Sequence, residues 1–311
     1  MSIHRGTTDP MQELRAALAQ ADAESPPDHL LQSVLDTALG ERTAGRSSFE
    51  VAEITAPEAF ERSTASLRAT LSSLRKGDWS RPTIRDLDVQ GLIGHLIGVE
   101  TAFCASVTNS PEHDPDADHV MSTDRFVEAQ SGRPGSSTYR EWLDASQRSI
   151  ELVRSTAARV RPDEVFALHG LRFPFDALLI VRSFELWTHE EDIRRATSRE
   201  LVSPDAPTLR LLTELAFGVL PAAIGSALNG QNSDERVRVV LTGPGGRTWD
   251  WRPEVDGPSK DPLALRLVMP AVDFCRMVAN RIDLDAEGVH VDGDGELASA
   301  VYAAASGLAL D

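Results

Sequence analysis

The chain has 311 residues, 41% of them apolar and 25% charged, which is the balance of a globular protein and excludes wholesale disorder. A formal net charge of −17 excludes the basic field that a nucleic-acid partner requires. Two cysteines, Cys104 and Cys275, exclude a disulfide framework and a cysteine-rich zinc site, and both read as reduced core thiols.

Residues 1–50 read as an N-terminal helical extension. Its opening, MSIHRGTTDPMQELRAAL, lacks the apolar core of a signal peptide, and no apolar run in the chain has the length of a membrane span. A cytoplasmic protein without a membrane partner is expected. MQELRAALAQADA and PPDHLLQSVLDTALGERTAGR are two short helices, the second opened by Pro-Pro-Asp and closed near Gly45. A longer helix follows over 56–76, where Phe60, Leu67, Leu71 and Leu74 share a face and Gly77 is the stop. Asp88 caps the next, which runs to about Val107.

TNSPEHDPDADHVMSTD is a polar loop, read as solvated or as a lid, and it holds His113 and His119. A third helix over 137–160 carries Tyr139 and Trp142 as core, and a fourth over 174–196 opens on Pro174. Four amphipathic helices within 51–202 predict a four-helix bundle. Over 203–311 the pattern becomes that of a small α+β domain. A helix, TLRLLTELAFGVLPAAIGSAL, precedes a hairpin turning at Gly-Pro-Gly-Gly, then a strand, LALRLVMP, a helix, AVDFCRMVANR, a strand, GVHVDGD, and a last helix. The glycines of LTGPGGRTW lead into a strand and make a turn, not a phosphate cradle.

The stretch that suggests chemistry is SFELWTHEEDIRRA on the fourth helix. Glu185 and His189 stand one turn apart on one stripe, which Arg182 and Asp192 extend, while Trp187 points off it as core. Such a pair offers a metal ion one oxygen and one imidazole nitrogen, or is simply a solvated Glu–His pair. His95 is the natural third ligand. It sits among Leu92, Ile93, Leu96 and Ile97, either as a hydrogen-bonded core histidine or facing the polar stripe. Burying both sets of polar groups unpaired is costly, and a shared cation resolves that cost. Two histidines and a carboxylate with a fourth position open form a catalytic rather than a structural site. Asp192 orients a ligand or pairs with Arg195. His169, beside Gly170, is a turn histidine or a group at the site's mouth.

DLDVQGLIGHLIGVETAF and, further on, RSFELWTHEEDIRRA resemble the mycothiol-dependent maleylpyruvate isomerase family, within the DinB-like group of metal-binding four-helix bundles. The likeness covers roughly residues 50–200, and VDFCRMVANRIDLDAEGVHVDGDGELASAV is similar to the sterol-carrier-protein-like domain that often follows. The resemblance implies His95, Glu185 and His189 as metal ligands, Zn²⁺ as the ion and mycothiol, an actinobacterial thiol, as cosubstrate. No cysteine falls in either motif, so a thiol nucleophile has to come from outside. Where the family commonly carries Trp-Thr before the His-bearing helix, this chain has Leu87-Asp88. The family also uses an arginine of the C-terminal domain, for which Arg281 in VANRID is the position offered.

The resulting expectation is a zinc enzyme that activates a small thiol for attack on a small electrophile, by isomerisation or S-transfer. Arg182 would hold a substrate carboxylate in that scheme, or form a salt bridge inside the bundle. The alternative is a non-catalytic metal-binding or ligand-sensing regulatory protein. Neither the electrophile nor the oligomeric state is set by the sequence.

Overall fold

The structure, a computed structural model, describes residues 51–227, 235–251 and 263–309. The helices expected within 1–50 lie outside the described residues, all of which fall in one packed unit spanning 44–311. Among the described residues no helix is long and apolar enough to cross a membrane.

The first half is α1 (Ala56–Ser72), α2 (Val89–Val107), the short α3 (Asp124–Gln130), α4 (Gly135–Thr156) and α5 (Phe175–Ala196). Its four long helices form the bundle, with α1 against α5 and α2 against α4. Thr55 and Glu58 make a reciprocal capping box at the start of α1. The helix ends at Ser72, earlier than the stop expected at Gly77, which instead lies in a 3-10 turn, Lys76–Asp78. The hydroxyls of Ser72 and Ser73 bond back to the carbonyls of Ala69 and Thr70, competing with continuation of the ladder. Asp88 caps α2 as expected, its carboxylate accepting the amide of Gly91 at 2.7 Å.

Helix α2 is buried nearly all round, and its glycines explain how. A Cβ at Gly94 would stand 2.9 Å from the carbonyl oxygen of Phe126, and one at Gly98 2.8 Å from the Thr123 side chain. The missing side chains let the Met121–Thr123 turn and α3 lie directly on α2, bringing the end of the polar loop to His95.

A hairpin absent from the sequence-based expectation, β1 (Val165–Leu168) and β2 (Leu171–Pro174), precedes α5. Its two-residue turn is His169-Gly170, both with positive φ (51° and 76°), the backbone that a tight hairpin demands. Histidine tolerates that conformation better than most residues, but it is a weak turn signal.

Beyond α5 come α6 (Ala206–Ala227), β3 (Arg236–Thr242), β4 (Thr248–Trp251), β5 (Leu263–Pro270), α7 (Ala271–Val278), β6 (His290–Gly293) and α8 (Gly295–Ser306). The sheet order is β4-β3-β5-β6, with β3 and β5 parallel and the outer pairs antiparallel. The architecture is therefore a helical bundle followed by an α+β part. Helix α5 belongs to both cores. Leu178, Leu179, Leu186 and Ile193 pack into the bundle, and Trp187 packs with Leu209, Leu212 and Phe274 on the other side. A helix buried on both flanks has no free face for polar residues, so its polar stripe has to find partners inside.

Candidate metal centre

His95 on α2 and Glu185 and His189 on α5 come together as expected: one ligand atom from each lies within 4.8 Å of the other two. His95 and His189 are buried, and the Glu185 side chain is only 11% exposed. The hydrogen bonds around them fix which nitrogens face inward. Thr123 gives its single hydroxyl proton to the carbonyl of Val120 at 2.7 Å, so at 2.8 Å it accepts from Nδ1 of His95. In the neutral ring, Nε2 then carries a lone pair, and it stands 3.5 Å from Oε1 of Glu185. Nδ1 of His189 donates to Asp192 at 3.2 Å, leaving its Nε2 in the same condition. Neither Nε2 of His95 nor Oε1 of Glu185 has a hydrogen-bond partner. Acceptor atoms from three residues thus converge on one buried space without a proton to share. A divalent cation satisfies such a set, and the residues fit one.

The carboxylate is held ionised. Burial opposes its charge, but the guanidinium of Arg182 outweighs it and keeps the Glu185 carboxyl well below the ordinary range. Arg182 itself corrects one expectation. It is wholly buried, with one amino group on Glu185 and the other on Glu100 at 2.8 Å, and Glu100 in turn accepts from Ser149 at 2.5 Å. Arg182 is thus the bundle salt bridge. Its Nη groups are spent on two carboxylates of the fold, so it is not placed to fork a substrate carboxylate.

Asp192 takes the orienting position rather than the local pair. Arg195 bonds Glu191 instead, at 3.1 Å, and Asp192 receives Arg281 at 3.0 and 2.9 Å. Burial pushes the Asp192 carboxyl up, but His189 and Arg281 prevail and bring it down to about 2. The segment after α7 thereby reaches the ring of His189 through one carboxylate. Asp192→Asn keeps the shape while weakening that grip. It is expected to lower metal affinity about 10- to 100-fold, read by competition with a chelating dye, with little change in fold.

Three further groups stand at the centre, of which the sequence offered His169 for the site's mouth, His119 only as part of a solvated loop or lid, and Arg85 not at all. His119 is 7% exposed, and its Nε2 lies 3.5 Å from the same Glu185 oxygen. His169 stacks edge-on against His119 at 4.7 Å between ring centres, so the turn histidine also faces the cluster. Arg85 sits in a left-handed turn with Asp86, and its guanidinium nitrogens are buried without hydrogen-bond partners. Loop histidines and a turn arginine have no periodicity to betray them. The one legible hint was the run Gly91, Gly94 and Gly98, which marks a backbone that another segment must approach. His113, by contrast, is spent on the carbonyl of Ala167 at 2.7 Å.

Burial lowers His95 and His119 from 6.5 to about 4. Below pH 6.5 the unfolded chain binds protons that the folded chain refuses, so their effect is absent above pH 6.5 and destabilising as pH falls towards 4. Metal-free protein is expected to lose up to about 3 kcal/mol for each of the two. Urea unfolding at pH 7 and pH 4.5 measures the loss, and replacing both residues by glutamine should flatten it.

A cavity of about 180 Å³ opens against the centre. His119, Glu185, Thr188 and His189 form its polar edge, while Phe173, Phe184, Leu212, Leu215, Val219 and Val278 are among its apolar walls.

Comparison with known proteins bears on the fold that carries this arrangement. The family model of the mycothiol maleylpyruvate isomerase N-terminal domain matches residues 60–194. Two solved structures, of the mycothiol-dependent maleylpyruvate isomerase and of a histidine-to-alanine mutant of it, each align over 76% of this chain and 91% of theirs. Both have a TM-score of 0.52 and 16% identity, a likeness of fold. No curated protein matches at a significant level. The stretch that the family model of the mycothiol maleylpyruvate isomerase N-terminal domain matches, residues 60–194, is thus the one that carries His95, Glu185 and His189.

Proposed function

We propose that the chain is a thiol-dependent isomerase that uses mycothiol, with Zn²⁺ held by His95, Glu185 and His189. The observation that carries this reading is the convergence of unshared acceptor atoms from those three residues at the edge of a cavity, within the stretch that the family model matches. The chain's own thiols are poor nucleophiles. Burial pushes the Cys275 thiol far up, and burial likewise raises that of Cys104, whose sulfur lies against Ser149 at 3.5 Å. An external thiol supplies what they do not.

When bound, the ion supplies a positive centre that favours the thiolate form of a nearby thiol at neutral pH. The protein does the rest. Thr123 and Asp192 hold the two imidazoles in the tautomers that present Nε2. Arg182 keeps Glu185 anionic and in place, and the apolar walls exclude water. In the reaction, the sulfur adds to one carbon of a cis double bond conjugated to a carbonyl, and the π pair moves onto that carbonyl. The remaining single bond rotates, the pair returns, and the thiolate leaves with the double bond now trans. The thiol is regenerated, and no redox equivalent is used. In this reading the bundle, up to about residue 202, supplies the ligands, and the part after it supplies most of the apolar enclosure.

Incubation with mycothiol and a panel of cis unsaturated carbonyl substrates, charged and neutral, tests it. Cis–trans conversion above the uncatalysed thiol rate is expected, and it should vanish when thiol is omitted or a chelator removes the metal. Conversion indifferent to both would overturn the thiol and metal roles, and no conversion above the uncatalysed rate for any substrate would overturn the proposal and favour a ligand-sensing role.

A further inference from the structure

The cavity beside the candidate centre is mismatched to a small dicarboxylate. Its walls come from β2, α5, α6, the end of α7 and the residues after α8, and they are almost entirely aliphatic or aromatic. No Lys or Arg lines it among the described residues, and its one carboxylate is Glu185. The nearby cations are engaged or set back. Arg182 is buried on Glu100 and Glu185, Arg281 grips Asp192, and Arg85 is not on the wall. Away from the metal edge, a carboxylate entering this space would lose its hydration among apolar side chains, with no Lys or Arg in the wall to replace the lost water, and the positive centre at that edge is committed to the thiol. The net charge of −17 adds a long-range field that disfavours anionic ligands.

We propose that the part of the electrophile that enters this cavity is uncharged and apolar: an alkyl or aryl unsaturated ester or ketone, not a small dicarboxylate. That the occupant is an electrophile rests on the thiol-dependent reading above, whereas its apolar character rests on the walls alone. Phe173, Phe184, Leu212, Leu215 and Val219 line the space that such a ring or chain would fill.

The test compares dibutyl maleate with the maleate dianion, each with mycothiol and each normalised to its uncatalysed rate with the same thiol. The unreactive dibutyl succinate and succinate serve as binding probes by calorimetry. The diester is expected to show at least a 10-fold greater acceleration than the dianion. Dibutyl succinate should bind and succinate should not. Val219→Trp, which fills the cavity from a partly exposed wall, should abolish diester binding without changing metal content. Equal or greater acceleration of the dianion, or binding of succinate in preference to its diester, would overturn the proposal. Diester binding that is lost in Val219→Trp, with no thiol-dependent turnover of either substrate, would sink the isomerase reading and the word electrophile with it, leaving the apolar pocket standing. Failure of the diester to bind would sink the pocket assignment alone.

Discussion

Alanine at position 95 is expected to empty the metal centre. It removes the one ligand that α2 contributes and leaves Glu185 and His189, both from α5, to hold an ion alone. Two ligands one turn apart on a single helix do not enclose a cation, whereas three ligands from two helices do. Metal content is expected to fall from about one equivalent per chain to near zero. Thiol-dependent turnover should fall by more than the roughly 10- to 100-fold assigned to a supporting residue such as Asp192. The fold should survive, because α2 keeps its Asp88 cap and the packing of Leu92, Ile93, Leu96 and Ile97 in the bundle core. Far-UV circular dichroism and elemental analysis of untagged protein separate loss of metal from loss of structure. A variant that keeps its metal would exclude His95 as a ligand.

Arg182 carries the largest expected effect on stability. Its two amino groups join Glu100, which is wholly buried, to Glu185, which is nearly so. Arg182→Leu leaves two carboxylates in the bundle without their shared cation, a loss of about 3–5 kcal/mol, or a fall of roughly 10 °C in Tm. Coupled replacement of Glu100 by leucine should recover part of it, because the pair shares one desolvation cost. Lysine should not, since a single ammonium cannot reproduce the two-armed fork. Thermal unfolding of the single and double variants decides the matter. A group that held a substrate carboxylate would instead raise KM with little change in Tm, which is the pattern that would contradict the structural role.

What the sequence disclosed and what it hid follow from the range of the interactions. The capped, periodic helices were legible because their causes are local. Asp88 reaches Gly91, and Pro174 opens α5. Glu185 and His189 were legible for the same reason, as neighbours on one helical stripe. The fold class and the three converging residues follow from those signals together with the family resemblance. Asp192 shows the limit. Arg195 was the local partner on offer, three residues away, yet the tertiary structure gives Asp192 to Arg281 and Arg195 to Glu191. His119 lies in a loop rich in proline and aspartate whose composition reads as solvated. It is buried because Gly94 and Gly98 let that loop's end settle against α2. The His169-Gly170 hairpin escaped because its strands have only four residues each and its turn lacks the usual asparagine or aspartate.

The most direct test of the account is zinc titration of metal-stripped protein in the presence of mycothiol and a cis electrophile the holoenzyme turns over, followed by loss of the cis isomer. The account predicts no conversion above the thiol background at the start, and a rise that saturates near one zinc per chain. Full activity in the stripped protein, or none at any zinc level, would contradict it.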